Sequence, residues 1–275
     1  MVEVLVHFVA PALVGVLIGI ASGLLGIGGG TVMVPIFRLA FGMSATMSTA
    51  TSLFAIIPTS ISGAISHVKG KTCIPALGIA AGLGGACLSP VGVWLAQLSP
   101  DWLVMLAAAL IIGYSAVNMF KKAFKVPRAG QPAEGADAAA SAPTADDSSL
   151  SRKQLLQGAA IGLVAGLASG YVGVGGGFIM VPLMLSIIGI PMRKASGTSL
   201  IAVMILAIPG VIEQGIIGNI NYLAGIAIVI GTIPGAVIGA RLVTKVPERT
   251  LRLLFGCFLI VAAVMLVLNE VGIFG

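Results

Sequence analysis

Two glycine-rich segments, at residues 26–30 and 173–177, combine residue types and spacing that could do chemistry. They consist of Gly-Ile-Gly-Gly-Gly and Gly-Val-Gly-Gly-Gly, and each lies inside a long apolar stretch. Glycine loses the most backbone entropy on ordering, so each cluster predicts a break in a helix. A helix that begins after such a break presents unpaired N–H groups and the positive end of its dipole, which bind anions. The segments therefore predict an anion site made largely of main chain.

The glycine segments do not match the known nucleotide-binding loops. A Walker loop needs Lys and then Ser or Thr after its last glycine, whereas Thr31-Val32 and Phe178-Ile179 follow here. A Rossmann fingerprint needs a preceding strand and a soluble domain, so nucleotide binding is disfavoured. Close packing of helices at glycine remains the structural alternative to anion binding.

Polar residues downstream of the breaks extend the predicted site. Thr51, Ser52, Thr198 and Ser199 could donate hydroxyl hydrogen bonds to an anion, or could bond to neighbouring helices and to the carbonyl four residues earlier. Arg38 is a charged residue within a short apolar element. A charge at membrane depth is energetically costly, so a functional role is predicted for Arg38. Its alternative is a side chain that extends to the membrane interface.

The complete predicted binding set contains glycines, the first residue after each cluster, the four hydroxyls and one arginine. Its members are Gly28, Gly29, Gly30, Thr31, Arg38, Thr51, Ser52, Gly175, Gly176, Gly177, Phe178, Thr198 and Ser199. No acid–base pair, nucleophile or metal-ligand cluster is visible, so no catalytic residue, metal or cofactor is predicted. Glu213 is a candidate proton carrier, with an interfacial location as the alternative. The cysteines, Cys73, Cys87 and Cys257, are expected to be buried thiols without redox or metal roles.

Composition identifies the environment of the chain. Of its 275 residues, 58% are hydrophobic and 9% are charged, whereas soluble domains carry about 25% charged residues. The apolar runs are about 20 residues long, which suits membrane helices rather than barrel strands. The net charge is +6, and fourteen of the fifteen Lys and Arg lie between or at the ends of the apolar segments, where orientation signals belong, so the charge does not indicate nucleic-acid binding. The chain is predicted to be an all-α integral membrane protein.

A tandem duplication organises the chain. Residue n matches residue n+147 without gaps across most of both halves, as in Ser22/Ser169, Pro35/Pro182, Thr51/Thr198 and Gly92/Gly239. The predicted domains are a membrane repeat at 1–125, a flexible linker at 126–150 rich in Ala, Pro, Asp and Ser, and a second membrane repeat at 151–275. Each repeat contains five apolar elements, the second of them short and preceded by the glycine break. The predicted elements are 4–25, 31–43, 45–67, 73–98 and 101–120, then 154–172, 178–190, 195–217, 220–243 and 250–270.

The positions of basic residues predict the orientation of the two repeats. A cytoplasmic linker, together with short elements that cross the membrane, also places Lys69, Lys71, Arg193, Arg241 and Lys245 on the cytoplasmic side. Short elements that turned back would put most of these cations outside. Five crossings per repeat is an odd number, so the repeats have inverted topology. We predict about ten membrane elements, a cytoplasmic linker and both termini outside.

The duplicated phrases resemble those of the TauE/SafE sulfite exporter family. The resemblance rests on Gly-Leu-Leu-Gly-Ile-Gly-Gly-Gly-Thr at 23–31, Gly-Tyr-Val-Gly-Val-Gly-Gly-Gly-Phe at 170–178, the Val-Pro that follows each, and Thr-Ser-Leu at 51–53 and 198–200. It implies a transporter in the bacterial inner membrane that exports sulfite or an organosulfonate.

The residues themselves predict only a small anion, so more than one function is compatible with them. The first alternative is a transporter of sulfate, thiosulfate or a carboxylate. A membrane-embedded enzyme is disfavoured because no catalytic cluster is visible, and a scaffold would not need duplicated glycine breaks. The expected partners are the anion, the lipid bilayer and, as an option, further copies of the chain.

Overall fold

A computed structural model describes residues 10–124 and 151–270, and the side chains of 11–124 and 151–268. The structure is all-α within these ranges, as predicted. The linker at 126–150 and the chain termini lie outside the described residues. The helices are α1 Ala10–Leu25, α2 Gly30–Phe41, α3 Ala45–Lys69, α4 Pro75–Leu98, α5 Asp101–Phe124, α6 Arg152–Val172, α7 Gly177–Leu183 with a π-helical turn Met184–Ile188, α8 Met192–Ile217, α9 Tyr222–Leu242 and α10 Glu248–Glu270.

Equivalent helices begin at matching positions of the duplication. The starts of α2 to α5 and of α7 to α10 are all 147 residues apart. Acidic side chains fix two of these starts, because Asp101 Oδ2 accepts from Ala45 N at 3.2 Å and Glu248 Oε1 accepts from Met192 N at 3.0 Å. A carboxylate at a helix N-terminus satisfies an orphan N–H and complements the dipole. The same capping contact therefore occurs once in each half.

The halves are interlocked through two helix pairs that are rich in glycine. In the pair formed by α1 and α9, Gly15, Gly19 and Gly23 lie directly against backbone carbonyls of α9. In the pair formed by α6 and α4, the equivalent glycines of α6 lie against backbone carbonyls of α4; these glycines are Gly162, Gly166 and Gly170. Residues without a Cβ let two backbones approach closely, which favours helix association in lipid. Each half thus packs its first helix against the fourth helix of the other half.

The third helices of the two halves run in opposite directions. A Cβ at Gly197 near the start of α8 would lie 2.8 Å from Cβ of His67 near the end of α3. Further along α8, a Cβ at Gly210 would lie 3.5 Å from Cδ1 of Leu53 near the start of α3. Equivalent helices that are antiparallel support an inverted repeat.

Basic segments gather at one end of the bundle. Arg193 donates to the Val246 carbonyl at 3.0 Å, and Arg252 donates to the Lys122 carbonyl at 3.4 Å. The start of α8 therefore lies beside the start of α10 and the end of α5. We call this cation-rich end of the described helices the basic end. The start of α3, which Asp101 caps, lies at the other end of the bundle.

Several helices have the length and composition of membrane spans. Within the described residues, seven helices are long and apolar enough to cross a bilayer. Three shorter apolar helices are Pro11–Leu25, Gly30–Phe41 and Gly177–Ile188, and the last two correspond to the predicted short elements. Large apolar side chains are exposed along the long helices, as expected of surfaces that face lipid. Cys87 and Cys257 are also exposed, so the expectation that they are buried was wrong.

Candidate functional site

Each glycine segment breaks the helical path with left-handed backbone. The φ angles of Gly28 and Gly29 are 81° and 87°, and those of Gly175 and Gly176 are 88° and 69°. Residues with a Cβ are strained in this region, so glycine is required for the turn. Gly29 and Gly176 precede the first residues of α2 and α7, as the sequence predicts.

The two breaks meet each other inside the protein. A Cβ at Gly30 would lie 2.5 Å from the Val174 carbonyl oxygen, and a Cβ at Gly177 would lie 2.9 Å from the Ile27 carbonyl oxygen. Residues 26–31 and 173–178 are all buried. The structure therefore brings the predicted glycines of both halves into one compact region between the repeats.

Two equivalent apolar side chains cover this region. Ile56 of α3 and Val203 of α8 occupy matching positions of the duplication, and both are fully buried. A Cβ added to Gly28 would lie 2.9 Å from Val203 Cγ1, and a Cβ added to Gly175 would lie 2.8 Å from Ile56 Cδ1. The glycines therefore also serve close packing, which is the structural alternative that the sequence left open. We call Ile56 and Val203 the apolar seal.

The start of α2 offers more unpaired main-chain N–H donors than the start of α7. The N–H groups of Gly30 and Thr31 precede the first helical hydrogen bond, so no carbonyl of α2 can accept from them. In the second break, Gly177 N donates to the Gly175 carbonyl at 2.8 Å, which leaves Phe178 as the first-turn donor. The helical segment after this break continues to Ile188 through the π-helical turn.

Buried hydroxyls without a hydrogen-bond partner surround the breaks. In the described part of the chain, Ser22, Thr31, Ser60 and Ser169 are fully buried and their side-chain oxygens have no partner. Ser22 Cβ would lie 3.7 Å from a Cβ at Gly29, and the equivalent Ser169 Cβ would lie 3.4 Å from one at Gly176. Buried polar groups are normally satisfied, so hydroxyls without a partner beside both breaks are candidates for contact with a bound ligand.

The predicted hydroxyls of α3 and α8 have mixed surroundings. Thr51 Oγ1 accepts from Asn221 N at 3.0 Å, and Thr198 Oγ1 accepts from Ile74 N at 2.9 Å. Each threonine thus holds the start of the fourth helix of the other half, which is a structural task. Ser199 donates to the Gly26 carbonyl at 2.7 Å and so lies at the first break. Ser52 is fully buried, and its hydroxyl has no hydrogen-bond partner among the described residues.

Arg38 lies in the last turn of α2, away from the break at the helix start, and is half-buried. Its equivalent, Leu185, lies in the π-helical turn. A role of Arg38 in ligand binding therefore stays a prediction, as does that of Thr51 and Thr198.

Three kinds of residue that lie beside the breaks are absent from the set predicted from the sequence. Ser22 and Ser169 carried a usable signal, because they are one of few polar pairs that the duplication repeats just before the glycines. Ser60 carried none, since its equivalent is Ala207. The apolar seal could not be recognised, because Ile56 and Val203 resemble any other apolar residue of a membrane helix.

Fold and site together define a membrane protein of two duplicated, interlocked helical halves that meet at paired glycine breaks. The family model described as "Sulfite exporter TauE/SafE" matches residues 11–266. The chain belongs to the TauE/SafE sulfite exporter family, a family of membrane transporters.

Several relatives match over nearly their full length. The chain is 27% identical to the probable membrane transporter protein YunE of Bacillus subtilis, over 97% of this chain and 99% of the relative. It is 29% identical to a probable membrane transporter protein of Haemophilus influenzae, over 94% of this chain and 97% of the relative. No solved structure matches the chain significantly.

Proposed function

We propose that this transporter exports a small sulfur-containing anion, sulfite or an organosulfonate, across the bacterial inner membrane. The anion binds between the two glycine breaks. The observation that carries this proposal is that four buried hydroxyls without a hydrogen-bond partner lie beside the two breaks, namely Ser22, Thr31, Ser60 and Ser169.

Neutral donors suit an anion that must be released again. The N–H groups at the start of α2 add about half a positive charge through the helix dipole, without a buried Lys or Arg. Hydroxyls contribute further donors, and hydrogen bonds to a charged group are worth about 1.5–3 kcal/mol each. Thr31 combines both kinds of donor, since its main chain and its side chain lie at the break. The site thus replaces the hydration of the anion without trapping it.

The apolar seal suggests how access alternates. Ile56 and Val203 pack over both breaks, so an anion reaches the donors only after these side chains move. Rocking of one half against the other around a fixed central site is the usual motion of transporters with inverted repeats. Because the seal contains one residue from each half, opening towards either side displaces it.

The membrane potential favours export of an anion. An anion that leaves a cell with a negative interior gains about 2.3 kcal/mol per charge per 100 mV. Coupling to protons is therefore not required, and Glu213 stays a candidate proton carrier only. In this scheme the basic end and the linker face the cytoplasm and both termini lie outside, in agreement with the distribution of Lys and Arg.

A flux assay in liposomes tests this function. The purified full chain is reconstituted, and uptake of sulfite, sulfate, thiosulfate, a sulfonate and a carboxylate is measured under an imposed potential. Flux of sulfite or the sulfonate above that of protein-free liposomes is expected. Flux of only sulfate, thiosulfate or the carboxylate would assign another anion to the same site, and no flux of any anion would overturn the proposal.

A further inference from the structure

A long groove lies on the outside of the bundle between α3 and α9. It has a volume of about 800 Å³ and is lined by residues 58 to 70 of α3 and its C-cap and by residues 233 to 244 of α9 and the following turn. We call it the α3–α9 groove. Its volume is in the range of ligand-binding clefts, and it is separate from the buried glycine breaks.

The walls of the groove are fixed by contacts beneath it. Thr59 and Thr232 join α3 to α9 through hydroxyls 2.6 Å apart, and Ser62 donates to the Ile233 carbonyl at 2.8 Å. Above these contacts, Ile61 and Ile65 are 39% and 50% exposed. The α3–α9 groove is therefore a preformed and largely apolar cleft on the outer surface of the bundle.

One end of the groove is cationic. Lys69 at the end of α3 and Arg241 near the end of α9 both line it and both are exposed, and no described lining residue is acidic. These two side chains lie at the basic end of the bundle. An apolar groove with two cations at one end matches the shape and charge of a phospholipid with an anionic headgroup.

The duplication supplies an internal comparison. The equivalent surface of the other half, between α8 and α4, has Ile216 in place of Lys69 and Trp94 in place of Arg241. It also has Glu213 in place of Ser66. The two surfaces derive from equivalent helix pairs, but only the α3–α9 groove ends at the basic end of the bundle, and only it carries cations at these positions.

We infer that the α3–α9 groove binds an anionic phospholipid. The headgroup pairs with Lys69 and Arg241, and an acyl chain lies along Ile61, Ile65 and Ile233. The groove opens at the basic end, which places the lipid in the leaflet that holds the anionic lipids if that end is cytoplasmic. This inference does not depend on the transported substrate.

Binding of defined lipids tests the inference directly. The full chain in detergent is titrated with phosphatidylglycerol or phosphatidylcholine, and bound lipid is counted by native mass spectrometry. The variant Lys69→Gln/Arg241→Gln removes the cations of the groove. The matched control, Lys71→Gln/Lys245→Gln, removes two exposed cations of the same basic end that do not line the groove.

The wild type and the control are expected to prefer phosphatidylglycerol, and the groove variant is expected to bind it about 25-fold more weakly, at roughly fivefold per cation. Thermal unfolding identical to wild type checks that the variant folds. Equal loss in the control, or no preference for the anionic lipid, would overturn the inference. Binding that appears only after removal of residues 126–150 would assign the groove to the linker and would also overturn it.

Discussion

Ile56 of the first half packs on Gly175 of the second, with its Cδ1 2.8 Å from the position that a Cβ of Gly175 would occupy. Val203, the equivalent residue, packs reciprocally on Gly28 at 2.9 Å. The same pair of side chains therefore closes the glycine breaks of both halves. These two side chains are therefore the ones that must move before an anion can reach the breaks in the proposed transport cycle.

Shortening the apolar seal is expected to make the protein leaky. In Ile56→Ala/Val203→Ala, the breaks lose their cover, and we expect anion flux to rise several-fold and to discriminate less between anions. Stability should fall, since Ile→Ala in a packed core costs about 2–5 kcal/mol. Flux in liposomes and thermal unfolding in detergent measure the two effects.

The control for this variant is Ile112→Ala/Val104→Ala in α5, which truncates a buried isoleucine and a buried valine outside the breaks. It should lose a similar amount of stability without a leak. A leak of equal size in the control would attribute the effect to general loosening of the bundle.

Removing the paired serines is expected to weaken transport without weakening the fold. Ser22 and Ser169 have no hydrogen-bond partner in the described structure, so Ser22→Ala/Ser169→Ala loses no intramolecular bond. Loss of a hydroxyl bond to a charged ligand should raise the apparent KM for the anion about tenfold or more. Flux against anion concentration gives KM, and thermal unfolding should be unchanged or slightly higher.

Ser89→Ala is the matched control for the serine pair. Ser89 is equally buried and also lacks a partner among the described residues, but it packs against Gly170 and Gly210 rather than against a break. Its KM should equal that of the wild type. An unchanged KM in the Ser22/Ser169 variant would return these hydroxyls to a packing role.

The sequence predicted much of the fold because the duplication repeats local signals. The glycine breaks, the short helices after them and the helix starts at matching positions all follow from residues adjacent in the chain. The partners of Thr51 and Thr198 did not, because their hydrogen bonds join residues 170 and 124 positions apart. The interlocking of α1 with α9 was likewise hidden, since a stripe of glycine indicates close packing but not the identity of the other helix.

Thr198 is expected to act on stability rather than on transport. Its hydroxyl accepts the buried N–H of Ile74 and donates to the Lys194 carbonyl at 2.7 Å. In Thr198→Val the shape is kept but the N–H of Ile74 is left unsatisfied, which should cost about 1–3 kcal/mol of unfolding free energy. Flux per folded protein should stay at the wild-type level. Lower flux with unchanged stability would instead support the ligand contact predicted from the sequence.

The proposed orientation predicts which loops face the cytoplasm. In a variant without the three native cysteines, Lys245→Cys at the basic end should react with a membrane-impermeant maleimide only after cells are opened. Pro100→Cys, between α4 and α5 and next to Asp101, should react in intact cells. Both positions are exposed in the structure. The reverse pattern would invert the orientation, and labelling of both from one side would contradict the inverted repeat.

Close contact between the breaks predicts that even one methyl group at Gly30 blocks function. A Cβ there would lie 2.5 Å from both the Val174 carbonyl and Ile56 Cδ1, so Gly30→Ala must push the two halves apart at the site. Gly42 is a suitable control, because its φ is 61° but a Cβ would meet nothing within 4 Å. Gly42→Ala should cost about 1–2 kcal/mol through backbone strain alone and retain transport. Gly30→Ala should abolish flux in liposomes even where size-exclusion chromatography shows folded protein, because its clash lies between the halves that must move. Transport by Gly30→Ala at the wild-type rate would mean that the breaks separate freely and do not form a common site.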